Sequence, residues 1–166
     1  NEVKKRNIDQ TISQMNLNSE GEIIPFSATH ERLYKAAWKM FLDKPIFGLG
    51  TNLFRQNCDK SKYSEGPSCS THPHNTYLQL LAETGIIGFL FILAVLLLIS
   101  LTFIKHFIFI FKNKIFLISD YRICLLVAIF INLWPLVPTM NFFNNWINII
   151  YFLPVGFFLS DYFSKK

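Results

Sequence analysis

Residues 86–104 read IIGFLFILAVLLLISLTFI, a stretch without one charged side chain. At 1.5 Å per residue a helix of this length covers about 28 Å, close to the ~30 Å hydrocarbon core of a bilayer. The stretch therefore predicts a transmembrane helix, and with it a membrane fold. Composition points the same way: the chain has 166 residues, 51% of them hydrophobic, with 18 phenylalanines. That is too apolar for an ordinary soluble domain carrying so few charges.

On the C-terminal side, Lys105, Lys112, Lys114 and Arg122 alternate with Phe and Ile, which reads as a basic interfacial loop over 105–122. A second apolar run, 123–138, and a third, 146–163, predict two further spans, the third interrupted by Pro154 and Gly156. The turn between them, 139–145, carries no charge, and 164–166 closes the chain with two lysines. Lys and Arg collect on the cytoplasmic side of short loops. Residues 105–122 and 164–166 are accordingly assigned to the cytoplasm, and 139–145, with everything before residue 86, to the outer side. The fold class expected is all-α: a polytopic membrane protein of about three transmembrane helices, preceded by a helical extracytoplasmic loop. The net charge of +5 is scattered between apolar runs. It reads as membrane flanking, not as a nucleic-acid surface.

On the N-terminal side, residues 1–26 are polar and aperiodic, with a basic cluster at Lys4, Lys5 and Arg6, and read as a flexible part of the loop. The chain starts at Asn1 without an apolar leader core, as a piece of a longer protein would. From Ser27 the pattern becomes helical. Ser27 or Thr29 suits an N-cap, Leu33, Ala36, Ala37, Met40 and Phe41 recur at helical spacing, and Pro45 ends the run. Arg32, Lys35 and Lys39 fall on a shared polar face. Gly48 and Gly50 then permit a tight turn, without the third glycine or the strand–helix setting of a dinucleotide site.

The polar loop 55–70 holds Cys58 and Cys69. They are near enough in sequence to close a small loop in an oxidising compartment, and two free thiols is the other reading. Next comes THPHNTYLQLLAETGIIG (71–88), which sets two histidines, an asparagine, a tyrosine and a glutamate at the mouth of the span. Polar chemistry there is costly to keep and marks a candidate site. Pro73 fits a first helical turn capped by Thr71 or His72, which puts His74 inside that turn, where the positive end of the helix dipole disfavours imidazolium. Glu83 reads equally as a partner of a nearby arginine or as a catalytic acid. Tyr77 and Trp146 suit the interfacial aromatic belt.

Three motifs then combine: Arg32 and Trp38 as R-x5-W, DKPIFGLG (43–50), and HPHNTYLQLLAETGIIG (72–88). Together with FFNNW (142–146) they resemble the O-antigen ligase and polymerase superfamily, bacterial membrane proteins that move glycans off an undecaprenyl-diphosphate carrier. The resemblance implies a C-terminal piece of such a protein, the end of its large periplasmic loop plus the last three spans, with a further site arginine upstream. It implies an inner-membrane enzyme with His74 and Arg32 as catalytic residues. His72, Asn75, Tyr77 and Arg55 are the candidates for substrate contact.

A neutral histidine can help deprotonate an acceptor hydroxyl, and a guanidinium can hold the charge of a leaving diphosphate. The acidic residues show no close pair for a divalent cation, so no metal and no cofactor is expected. The partners implied are an undecaprenyl-diphosphate-linked glycan, an acceptor that is lipid A-core, a growing glycan or a protein, and membrane lipid; nucleic acid is not among them. The competing reading is a non-catalytic polytopic membrane protein, a carrier or assembly subunit whose histidine motif is structural. Against it, a carrier more often sets its polar residues mid-membrane.

Overall fold

The computed structural model describes residues 27–64, 66 and 69–164, together with positions 8 and 12. The rest of the segment 1–26, including its basic cluster, and the closing lysines lie outside the described residues. All regular elements described are helices. In chain order they are α1 (Ala28–Asp43), α2 (Phe54–Asn57), α3 (Thr76–Asn113), α4 (Asp120–Asn132) and α5 (Asn145–Ser164).

Helix α1 starts after Ser27 and ends just ahead of Pro45. Its stripe of Leu33, Ala36, Ala37 and Met40 is buried with Phe54, Cys58, Tyr63 and Ala82 of α3. The two alanines let α1 approach α3 closely. Leu33, Met40 and Phe54 supply the bulk, each worth about 1.5–3 kcal/mol when fully buried.

Helix α3 is broken at Gly85 (φ 66°, ψ −161°), and the turn 45–50 fills the break. In a regular helix the Ile86 N–H would donate to the Ala82 carbonyl. Here it donates to the Pro45 carbonyl (2.8 Å), while Leu49 N–H donates to Ala82 (2.9 Å) and Gly50 N–H to the Glu83 carbonyl (2.9 Å). Backbone groups released by the break are thus paired again across the turn. Glycine is required at both contacts. A Cβ on Gly85 would overlap the Ile46 carbonyl, one on Gly48 would overlap the Glu83 backbone, and both residues have positive φ.

Two helices among the described residues, α3 and α5, are long and apolar enough to cross a membrane. At 1.5 Å per residue the 38 residues of α3 span about 57 Å, well beyond one bilayer core. Residues 105–113, read as loop, are helical; nothing between Lys105 and Lys112 breaks a helix, and Lys114 ends it in the left-handed region (φ 54°). The run 123–138 is helical only as far as Asn132, and the 13 residues of α4 reach about 20 Å. The stop lies ahead of Pro135, which disfavours helix at the residue before it. The carbonyls of Leu133 and Pro135, free of any helix, accept hydrogen bonds from Tyr77 (2.6 Å) and Asn75 (2.9 Å). Leu96 and Ile99 of α3 pack with Leu126, Ile129 and Leu133, and Val155 and Phe158 of α5 close over them. The far ends of α4 and α5 are joined by Arg122, which donates to Asp161 through Nε and through Nη2.

Candidate functional site

Asn75 caps α3. Its side-chain oxygen accepts the N–H groups of Tyr77 (3.0 Å) and Leu78 (3.1 Å) from an extended backbone. The expected cap at Thr71 or His72, with Pro73 and His74 in the first turn, is corrected accordingly. A short amide reaches the second and third N–H groups of the helix, and whichever residue does so sets the start. His74 therefore stands one residue outside, at φ 58°. Left-handed backbone costs a non-glycine residue roughly 1–2 kcal/mol. Here the Thr139 N–H, donating to the His74 carbonyl (3.0 Å), helps to hold it.

Three imidazoles meet at this point. The rings of His72 and His74 are 4.2 Å apart, and His30 of α1 meets His74 edge-on at 5.5 Å. His72 is fully engaged: Nε2–H donates to the Thr139 carbonyl (3.0 Å) and Nδ1 accepts from the Thr71 hydroxyl (2.9 Å). His74 Nε2 lies 3.3 Å from the Ser70 hydroxyl. Both rings are held below the ordinary histidine pKa, chiefly by burial. The neighbouring His30 adds to this for His74; for His72, the bond to Thr139 opposes the shift and His74 adds to it.

Arg32 is half-buried on α1. Two residues from His30, it points to a different side of the helix, so α1 turns His30 toward His74 and Arg32 toward Gly66. The Gly66 backbone (φ +116°) passes close to the guanidinium, and a Cβ there would lie 3.7 Å from Nη1. Among the described residues no carboxylate pairs with Arg32, and no hydrogen bond joins it to His74. Both side chains instead border the loop closed by Cys58 and Cys69, which form a disulfide (Cα–Cα 5.3 Å). Ser70, the contact of His74, directly follows Cys69.

The remaining candidates take other places. Asn75 caps the helix and ties it to Pro135, the Tyr77 hydroxyl is buried against Leu133, and Arg55 is exposed on α2. Glu83 has no arginine partner among the described residues. It accepts the Phe54 N–H (2.8 Å) and the Gln79 amide (2.9 Å). Gln79 also donates to Asn141 (2.7 Å) and accepts the Phe142 N–H (3.0 Å), linking the 139–145 turn to α3. Among the described residues no group of three or more His, Cys, Asp or Glu is arranged to hold a metal ion.

His30, Ser70 and Thr139 were not singled out from the sequence. His30 carried a faint signal, a histidine in the same first turn as Arg32; Thr139, more than sixty residues from His72, carried none.

Residues 26–93 match a family model described as O-antigen ligase. The matched segment takes in α1, the 45–50 turn, the disulfide loop, the three histidines and the start of α3. Neither a curated protein nor a solved structure matches the chain.

Proposed function

We propose that the chain, whose residues 26–93 match a family model described as O-antigen ligase, acts in surface polysaccharide synthesis, transferring a glycan from an undecaprenyl-diphosphate carrier to a hydroxyl acceptor. The observation that carries this reading is the His74 ring. It is biased toward the neutral form and has one nitrogen 3.3 Å from a hydroxyl, nearly the approach a general base makes to the proton it removes. The acceptor oxygen attacks the anomeric carbon, its proton passes to His74, and the bond from that carbon to the diphosphate oxygen breaks. The departing diphosphate takes the electron pair, and Arg32 faces the charge so formed. Attack opposite the diphosphate inverts the anomeric configuration.

His74 takes the proton and Arg32 the charge, so transfer persists in EDTA. The acceptor is lipid A-core, a growing glycan or a protein. The protein sits in the bacterial inner membrane with the site in the periplasm, an oxidising compartment in keeping with the Cys58–Cys69 disulfide. His72 and Asn75 shape the site, and helices upstream complete it.

In the full-length protein, His74→Ala is expected to lower transfer by ~10²–10⁴-fold, the usual range for losing a general base. Arg32→Ala should reduce it comparably. Normal surface glycan from both variants at normal expression would overturn the assignment.

A further inference from the structure

The end of α1 and the turn that follows it expose a run of large apolar side chains: Trp38 (47%), Leu42 (60%), Ile46 (56%) and Phe47 (75%). Trp38 and Leu42 are one helical turn apart on α1, and Ile46 and Phe47 extend the same end of the element. Their height relative to the membrane is fixed by backbone. The turn is hydrogen-bonded to Ala82, Glu83 and Ile86 of α3, and Ile86 is where the uncharged run begins. The next outward residues of α3, Ile87, Leu90 and Phe91, are themselves exposed apolar groups. The apolar patch at the end of α1 and the exposed apolar start of α3 thus meet at this turn, with Lys44 exposed at the margin.

Direction agrees with height. The first turn of α1 brings His30 to His74, and the far end of α1 meets the break at Gly85, so α1 runs down toward the bilayer. Irregular backbone tolerates an apolar setting only when its polar groups are paired. In this turn Gly48, Leu49 and Gly50 donate to Lys44, Ala82 and Glu83, Pro45 has no N–H, and its carbonyl accepts from Ile86. The N–H groups of Ile46 and Phe47 make no backbone bond among the described residues, which suits the hydrated headgroup level and not the hydrocarbon. The carboxylate beside the patch, Asp43, is bound by Lys62 and Tyr63, while Lys44 stays exposed, where a long basic side chain can reach a phosphate headgroup. Aromatic and aliphatic groups beside a lysine are the composition of an interfacial anchor.

We propose that Leu42, Ile46 and Phe47 insert into the lipid leaflet on the His74 side of the membrane, at the headgroup–acyl boundary, and so set the height of His74 above the bilayer. Nine helical residues, 76–84, and the break at Gly85 separate the cap beside His74 from Ile86, a distance of about 15 Å. The site would then open among the headgroups and beyond them, not within the hydrocarbon.

The test reads no activity, so it stands or falls apart from the transferase reading. Nitroxide labels at F47C and, separately, L42C are placed in the full-length protein with Cys124→Ser, in nanodiscs of mixed neutral and anionic phospholipid. A label at K60C, an exposed position in the disulfide loop, serves as the water reference. The expected result is that collision with oxygen exceeds collision with a water-soluble nickel chelate several-fold at 47 and 42, and that the order reverses at 60. High nickel accessibility at 47 and 42 would place the turn in water. Low accessibility to both reagents would place it under protein, another part of the chain or a second copy. Either result overturns the proposal.

Discussion

Protonation of His74 is opposed from two directions: burial of the ring first, then the charge His30 would present to it. An imidazole so placed titrates below its ordinary value of ~6.5, so it is a free base at neutral pH. Transfer should hold at pH 7 and fall only as pH drops through that lowered value. In His30→Ala the electrostatic part of the shift is gone, and the acid limb of the pH–rate profile should move to higher pH; an unmoved limb would show that the His30 contact is electrostatically silent. Burial of His72 and His74 as neutral rings also couples protonation to folding. Their contribution is intact above the unfolded-state pKa of ~6.5 and is lost as pH falls toward the lowered folded values. The glycines give a second residue-level expectation. Gly85→Ala or Gly48→Ala should destabilise by about 3 kcal/mol or more, since each combines positive φ with overlap against backbone. Gly156→Ala, with nothing within 4 Å of the new Cβ, should be neutral or stabilising by up to ~1 kcal/mol. Thermal unfolding in detergent compares all three.

Among the elements, the disulfide loop matters to the site in a way neither cysteine suggests alone. Its ring begins at Cys58 in the α1–α3 core, passes Gly66 beside Arg32 and ends at Cys69 next to Ser70. One cross-link thus restrains the segments that touch both proposed catalytic side chains. Closing a loop with a sequence separation of 11 contributes about 2–4 kcal/mol. Reductant, or the double variant C58S/C69S, should therefore lower the melting temperature. An unchanged melting temperature would mean the bridge is absent or without effect on stability. Helix α3 shows a different economy. A single break at Gly85 lets one helix serve both the polar site and the apolar span, because the turn 45–50 supplies the hydrogen bonds the break removes.

At the scale of the whole molecule, α3 exceeds the bilayer core by about 27 Å, being about 57 Å long against ~30 Å. If residues 86–104 span the membrane, the excess divides between 76–85 on the site side and 105–113 on the other. Cysteines introduced at Lys60 and Asn113 should then react with an impermeant reagent from opposite sides, Lys60 from outside the cytoplasm and Asn113 only after permeabilisation. Labelling at Asn113 in sealed cells would invert the orientation. Helix α4, at 13 residues and about 20 Å, falls about 10 Å short of a bilayer core.

The helical class, the stripe of α1, the apolar run of α3 and the family motif in 71–88 were all legible in the residues. Each depends on local periodicity, on an uncharged length or on residue types a few positions apart. What needed the tertiary structure was every relation between distant segments: Asn75 rather than Thr71 or His72 as the cap, His30 against His74, Thr139 against His72, and the 45–50 turn seated on Gly85. A cap, a tautomer and a broken helix are settled by where unpaired donors and acceptors find partners, and those partners lie up to 67 residues away. The sequence alone determined that polar chemistry stands at the mouth of an apolar helix; packing decided which histidine has both nitrogens occupied and which is left beside a hydroxyl.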